Sequence, residues 1–130
     1  MNTKKTSLYN LHKDKGAKFV EFAGYEMPIQ YSQGIISEHN FTRSKSGIFD
    51  VSHMGQLFLK GGDDLTEKLQ KIFPTDLKKL NVNQSKYSFL MKENGGIYDD
   101  LILTKLKNGF MIILNAACKY NDLKIIKTRL

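Results

Sequence analysis

Residues 85–115 constrain this chain most. "SKYSFLM", "IYDDLILTKL" and "FMIILN" are three runs rich in β-branched and aromatic residues, separated only by "KENGG" and "KNG". Joints this short permit only antiparallel hairpins, because a parallel return needs about a dozen residues or more. A β-meander is therefore expected. Around it, "DDLTEKLQKIF" places Leu65, Leu69 and Ile72 at helical spacing behind a capping-box-like Asp64 and Glu67. The tail "AACKYNDLKIIKTRL" puts Tyr120, Leu123, Ile126 and Leu130 on one helical face. The expected fold class is α+β, an antiparallel sheet flanked by helices.

The earlier half is less regular. "TSLYNLHKDKGAK" reads as a short helix capped by Thr6 or Ser7 and stopped by Gly16, and "FVEFAGYEMPIQY", broken by Pro28, as strand or extended loop. "GIISEHNFTRSKSG" suggests a poorly amphipathic helix closed by Gly47, and "IFDVSHMGQLFLK" is β-rich up to Gly61-Gly62. The domain division expected is 1–55, an incomplete N-terminal part of a first domain, and 56–130, an α+β domain carrying the three-strand meander.

Two adjacent aspartates interrupt the middle strand. Strand alternation puts Ile97, Asp99, Leu101 and Leu103 on one face and Tyr98, Asp100, Ile102 and Thr104 on the other. The first, more apolar set should pack under a helix, with Asp99 near the turn end where water reaches it. With Asn94-Gly95 as the central turn pair, Glu93 faces Gly96, Phe89 faces Asp100 and Tyr87 faces Ile102. With Asn108-Gly109 closing the second hairpin, Lys107 faces Phe110, Thr104 faces Ile113 and Ile102 faces Asn115. Tyr87, Asp100 and Asn115 then share a face with Phe89, Met91, Ile102 and Ile113, a wall suited to a flat heteroaromatic ligand. Taken alone, an Asp pair after Gly-Gly is more often an ordinary solvated strand start; Asn115 can equally be a helix cap before Ala116, and Tyr87 a core residue with its hydroxyl at the rim.

Composition narrows the chemistry. The net charge of +7 rests on scattered lysines, with only Arg43 and Arg129 as bidentate groups, a pattern that suits an acidic partner and not base-specific nucleic-acid reading. The longest apolar runs, such as "MIIL" at 111–114, fall far short of the ~20 residues that span a bilayer, and "MNTKKTSLYN" has no apolar signal core, so no membrane role and a cytoplasmic location are expected. His53 has no second ligand at metal spacing, which leaves a structural or ligand-wall role, and no metal site is expected. The single Cys118 excludes an internal disulfide and lacks a neighbouring His for nucleophilic work. Gly61-Gly62 reads as a turn, since no Gly-Lys-Ser/Thr follows.

"FAGYEMPIQY", "GIFDVSHMGQ", "NGGIYDDLI" and "NAACKYND", in this order and spacing, resemble the opening of aminomethyltransferase, the T-protein of the glycine cleavage system. The similarity runs from about Thr6 to the end and covers about the first third of the usual family length. It implies part of a three-domain folate-binding fold, in which the one-carbon unit of an aminomethyl group on the lipoylated H-protein passes to tetrahydrofolate with release of ammonia. By the same motifs the family's key carboxylate falls on Asp100, and its folate-contacting positions fall on Tyr87, Asn115, Met54, Ile102 and Ile113. Cys118 stands where the family usually has Asn, Thr104 where a Tyr is common, and Tyr25 replaces the usual Trp. The resemblance further implies a chain inactive by itself. The alternatives are a noncatalytic folate-binding module, or a docking domain whose lysines meet an acidic partner such as H-protein.

Overall fold

The computed structural model describes residues 3–130. They form two compact units, the first running to His53 and the second Met54–Leu130.

In the first unit, β1 (Lys4–Lys5) lies parallel to β3 (Tyr25–Gln30), which pairs antiparallel with β2 (Lys18–Phe22). The segment expected as strand or loop is thus a hairpin. Its tight turn is Ala23-Gly24, both at positive φ (52° and 77°), the backbone that lets a two-residue loop follow the strand twist. Helix α1 (Tyr9–Asp14) forms as expected, but no side chain caps it; the backbone carbonyl of Thr6 receives the Tyr9 amide instead. Helix α2 (Ile35–Ser44) buries no residue and ends at Lys45, ahead of the expected stop at Gly47.

The second unit is a four-stranded sheet in the order β4-β7-β6-β5, with β4 Gly55–Lys60, β5 Ser85–Met91, β6 Ile97–Leu106 and β7 Gly109–Leu114. The β-rich run expected from Ile48 is strand only from Gly55 onward. One face of the sheet is covered by helix α3 (Asp63–Gln70), a 3-10 turn at Leu77–Lys79, and helix α4 (Lys119–Arg129). Leu69, Ile72, Phe73, Leu77 and Ile126 from that layer pack onto Leu90, Leu101, Leu103, Phe110, Ile112 and Leu114. Burial of aliphatic and aromatic side chains here, each contributing about 1.5–3 kcal/mol, is what holds the meander flat against the helices.

Two expectations fail at the helix ends. Asp64 and Glu67 make no capping box: Asp64 pairs with Lys68 at 3.2 Å and Glu67 with Lys78 at 3.3 Å. In α4 the buried positions are Asp122 and Ile126, one turn apart, while Tyr120 points to solvent. The helix begins at Lys119, after a turn in which the Asn115 carbonyl accepts from the Cys118 and Lys119 amides, so the Asn115 side chain is free for another use.

Register decides what the uncovered face presents. The first hairpin loop has three residues, Glu93, Asn94 and Gly95, closed by the Lys92 amide on the Gly96 carbonyl at 2.6 Å, with Gly95 at φ 83°. Lys92, not Glu93, therefore faces Gly96, and the odd loop length alone would turn every later side chain over. A bulge cancels it: Met91 pairs with Ile97 and Leu90 with Asp99, leaving Tyr98 as an extra residue in β6. Lys92 and Arg129 lie over the Tyr98 ring at 5.3 and 5.7 Å, and Arg129 also donates to the Met91 carbonyl at 2.7 Å, which secures the bulge. Beyond it Phe89 faces Asp100 and Tyr87 faces Ile102, as the alternation predicts.

In the second hairpin the loop pair is Lys107-Asn108, not Asn108-Gly109. Ile102 then faces Ile113 and Thr104 faces Met111, displaced from the expected register by two. Since the shift is even, no side chain changes face.

Candidate functional site

The open face of the sheet carries Tyr87 and Phe89 on β5, Asp100 and Ile102 on β6, Met111 and Ile113 on β7, and Gln56 and Phe58 on β4. Tyr87, Ile102, Ile113 and Gln56 form one continuous cross-strand row. Ile102 is 42% exposed and Tyr87 56%, so this apolar strip is unpartnered within the unit. The Tyr87 ring meets Phe89 edge-on at 5.3 Å.

Asp100 sits at the end of this strip. Tyr87 donates its hydroxyl to Asp100 Oδ2 at 3.0 Å, and Asn115 Nδ2 donates to Asp100 Oδ1 at 3.0 Å. The corrected register explains the second contact, because continuing the β6–β7 ladder past Leu101 and Leu114 sets Asn115 opposite Asp100. The same amide also reaches the Asp100 carbonyl at 3.0 Å and Asp99 Oδ1 at 3.1 Å. Hydrogen bonding to the Asp100 carboxylate, then burial and the charges of Asp100 and Asp99, hold the Tyr87 phenol above its usual range and therefore protonated as the donor.

The three residues expected to converge thus do meet, with Ile102 and Ile113 beside them. Met54, half-buried, lies one residue before the Gly55–Leu114 pair and Asn115 one residue after it, so the two flank the same end of the ladder. Asp99 faces the helix layer, as the alternation predicts, but its Oδ2 is enclosed without a hydrogen-bond partner and does not meet water. Beneath it lies Asp122, which the sequence reading did not single out: a short acid in the first turn of a helix looks like an ordinary favourable charge at the dipole's positive end.

Cys118, at the start of α4, belongs to the same neighbourhood. Burial, then the charges of Asp99 and Asp122, push its thiol above the usual range, so it is a poor nucleophile. Gly61-Gly62 form a turn into α3, with Asp63 and Glu67 beside them. Among the described residues, no group of three acidic, His or Cys side chains is placed to hold a metal ion.

The first unit contains a separate polar cluster, also missed from the sequence. His12 Nδ1 lies 2.7 Å from the Tyr31 hydroxyl and its Nε2 2.9 Å from Asp50 Oδ2. Asp50 further accepts from the Ser52 hydroxyl at 2.6 Å and amide at 2.9 Å. Burial pushes the Asp50 carboxyl up, but the bonds from Ser52 and His12 outweigh it and hold the group well below the ordinary carboxylate range. Burial, with Glu38 and Asp50 nearby, holds the Tyr31 phenol above its own. The expected signal was faint because the three residues are 19 and 38 positions apart. His53 is buried against the edges of Phe22 and Tyr25, in keeping with a structural role.

Comparison with known proteins converges on one family. The family model described as the GCVT N-terminal domain matches residues 8–130. An aminomethyltransferase from Caldanaerobacter subterraneus is 44% identical over 124 residues, 95% of this chain and 33% of that protein. A mitochondrial aminomethyltransferase of Dictyostelium discoideum is 42% identical over 127 residues, 98% of this chain and 31% of its own length. The crystal structure of the glycine cleavage system aminomethyltransferase T from Bartonella henselae superposes with a TM-score of 0.91 at 42% identity, covering 97% of this chain and 35% of that one. The chain spans about a third of the length of the relatives it matches. By sequence and by fold, it belongs to the GCVT N-terminal domain family.

Proposed function

We propose that this chain supplies the folate-holding carboxylate of a glycine cleavage aminomethyltransferase. In that reaction the one-carbon unit passes from the aminomethyl-lipoyl arm of H-protein to tetrahydrofolate, and ammonia is released. The observation that carries the reading is the Asp100 carboxylate on the open face, one oxygen held by Tyr87 and the other by Asn115, at the end of an exposed apolar strip.

A carboxylate has about four lone-pair sites, and these two bonds occupy only part of them. Asp100 can therefore accept a further N–H from a ligand amine, and polarise or take its proton as the amine nitrogen bonds to carbon. Ile102, Ile113 and Met54, with Phe89, offer the ring-sized apolar wall. Fixing the carboxylate from both sides before the ligand arrives lowers the reorganisation needed in the reaction. The net charge of +7 suits an acidic protein partner such as H-protein. A cytoplasmic site of action belongs to the same proposal; among the described residues no helix is long and apolar enough to cross a membrane.

The test is titration with tetrahydrofolate of this chain alone and of a mixture with the remaining two thirds of a related aminomethyltransferase. Binding strengthened by the mixture, with ammonia release from aminomethylated H-protein, is the expected outcome. Asp100→Ala should then lower the rate at least ~100-fold, the lower end for a general acid–base group. Folate binding by neither preparation refutes the reading.

A further inference from the structure

Asp122 lies in the first turn of α4 and is 1% exposed, and neither of its side-chain oxygens has a hydrogen-bond donor. Asp99 Oδ2, facing it from β6, is enclosed in the same way. If both groups were ionised, two charges and three acceptors would be buried with nothing to satisfy them, an arrangement proteins avoid by binding a proton. One proton removes one of the charges and turns one acceptor into a donor to a second, leaving a single neutral carbonyl oxygen without a partner. Asp99 is the better anion of the two because Asn115 Nδ2 already donates to its Oδ1 at 3.1 Å. The proton therefore belongs on Asp122.

That Asn115 nitrogen is the same one that holds Asp100 Oδ1 at 3.0 Å. It has only two hydrogens, shared among Asp99 Oδ1, Asp100 Oδ1 and the Asp100 carbonyl, so its orientation depends on Asp99 staying where it is. We propose that Asp122 is a buried neutral carboxylic acid that shares its proton with Asp99, and that it acts as a positioning residue, fixing the Asn115 amide through Asp99 and the Asp100 carboxylate through the amide. A charge-relayed order of this kind, acid to anion to amide to carboxylate, links the helix layer to the open face through the sheet.

The electrostatics agree. Burial first, then the hydrogen bond and charge of Asp99, push the Asp122 carboxyl up to about 7. The titratable groups around it are Asp99 of β6 and the Cys118 thiol at the start of α4, itself held protonated. The protonation half of this inference stands without the folate reading, and the positioning of Asp100 for a ligand rests on it.

The experiment is a carbon-13 titration of the aspartate carboxyls in the intact chain, paired with Asp122→Asn, Asp122→Leu and Asp99→Asn. One carboxyl should titrate near neutral pH in the parent and vanish from that range in Asp122→Asn. In Asp99→Asn, Asp122 should titrate at least one pH unit lower, about a tenfold change in proton affinity, because its charged neighbour is gone. Asn at 122 can donate an amide to Asp99, so the Asn115 side-chain amide resonances should stay in place. Leu has similar bulk and no donor, so they should shift, and tetrahydrofolate binding should weaken at least ~10-fold relative to Asp122→Asn, the loss expected when a buried acceptor loses its donor. Should Asp122→Leu fail to fold, the Asp99→Asn titration decides the shared proton, and the Asn115 amide resonances of the parent decide the positioning: they should move with the titration of Asp122, and their indifference to it overturns that role. Full ionisation of every aspartate below about pH 5, the range of ordinary carboxylates, overturns the shared proton. Unmoved Asn115 resonances in Asp122→Leu overturn the positioning role. Failure of the parent chain to bind folate counts against the proposed function and leaves both of those readouts intact.

Discussion

Gly109 offers the sharpest test of the sheet that presents the site. It is buried at the start of β7 with φ 135°, and a Cβ placed there would lie 1.9 Å from the Leu59 carbonyl oxygen of β4. Backbone, unlike a flexible side chain, cannot step aside without moving the strand. Gly109→Ala should therefore cost ~1–3 kcal/mol for the unfavourable backbone conformation. Displacing β4 adds roughly 2 kcal/mol more from weakening the Lys60–Gly109 pairing and the Gly61 amide bond to the Asn108 carbonyl at 3.3 Å, at about 1 kcal/mol each. The total is about 3–5 kcal/mol. For 130 residues the unfolding entropy is about 0.27 kcal/mol per kelvin, so the melting temperature should fall by roughly 11–18 K. The control is Gly95→Ala, where φ is 83° but nothing lies within 4 Å of the added Cβ, so only the conformational cost of about 1–2 kcal/mol remains. Thermal and urea unfolding of both variants, read by circular dichroism, measures the difference. Equal losses would mean that the approach of β4 to Gly109 is not as close as described.

Other perturbations probe the layers separately. Leu103→Ala, at a fully buried position between β5 and β7, should cost ~2–5 kcal/mol in urea unfolding, and a loss under about 1 kcal/mol would contradict its place in the core. Asn115→Ala leaves Asp99 and Asp100 each short of a donor, one of them partly solvated, and should cost ~2–3 kcal/mol; an unchanged melting temperature would show the bridging amide to be incidental. Asp50 is held below its usual range in the folded chain, so the unfolded chain takes up its proton first as pH falls. Its contribution is present at neutral pH and lost on acidification from about pH 5 downward, and Asp50→Asn should lower stability at pH 7 while flattening that acid limb. Parallel acid limbs in the two proteins would exclude the His12–Asp50–Ser52 arrangement as a source of stability.

Much of the second unit was legible because short joints and alternation are local signals. The three strands, the facing of Asp100 toward Tyr87 and the amphipathic α3 follow from them directly. Register was legible only modulo two: the sequence marks Asn and Gly as turn formers, but which pair occupies the loop depends on how Gly109 meets β4, a contact across the sheet. Helix caps were misjudged at α1 and α3 because backbone carbonyls and ion pairs took the places assigned to Thr6, Ser7, Asp64 and Glu67. The buried acid Asp122 was invisible for a different reason. Its partner is Asp99, 23 residues earlier on another element, and like-charged residues give no pattern until one of them holds a proton. The His12, Tyr31 and Asp50 cluster likewise exists only through tertiary closure.

The three-residue loop at Glu93–Gly95 and the extra residue Tyr98 have opposite effects on side-chain parity. Deleting one residue of the loop alone would hand Tyr87 and Phe89 to the helices and bring Ser88 and Leu90 outward, whereas losing one from each place would leave Phe89 opposite Asp100. Insertions and deletions in this hairpin can therefore be tolerated in evolution only as matched pairs, the turn lengthening or shortening in step with the strand that leaves it.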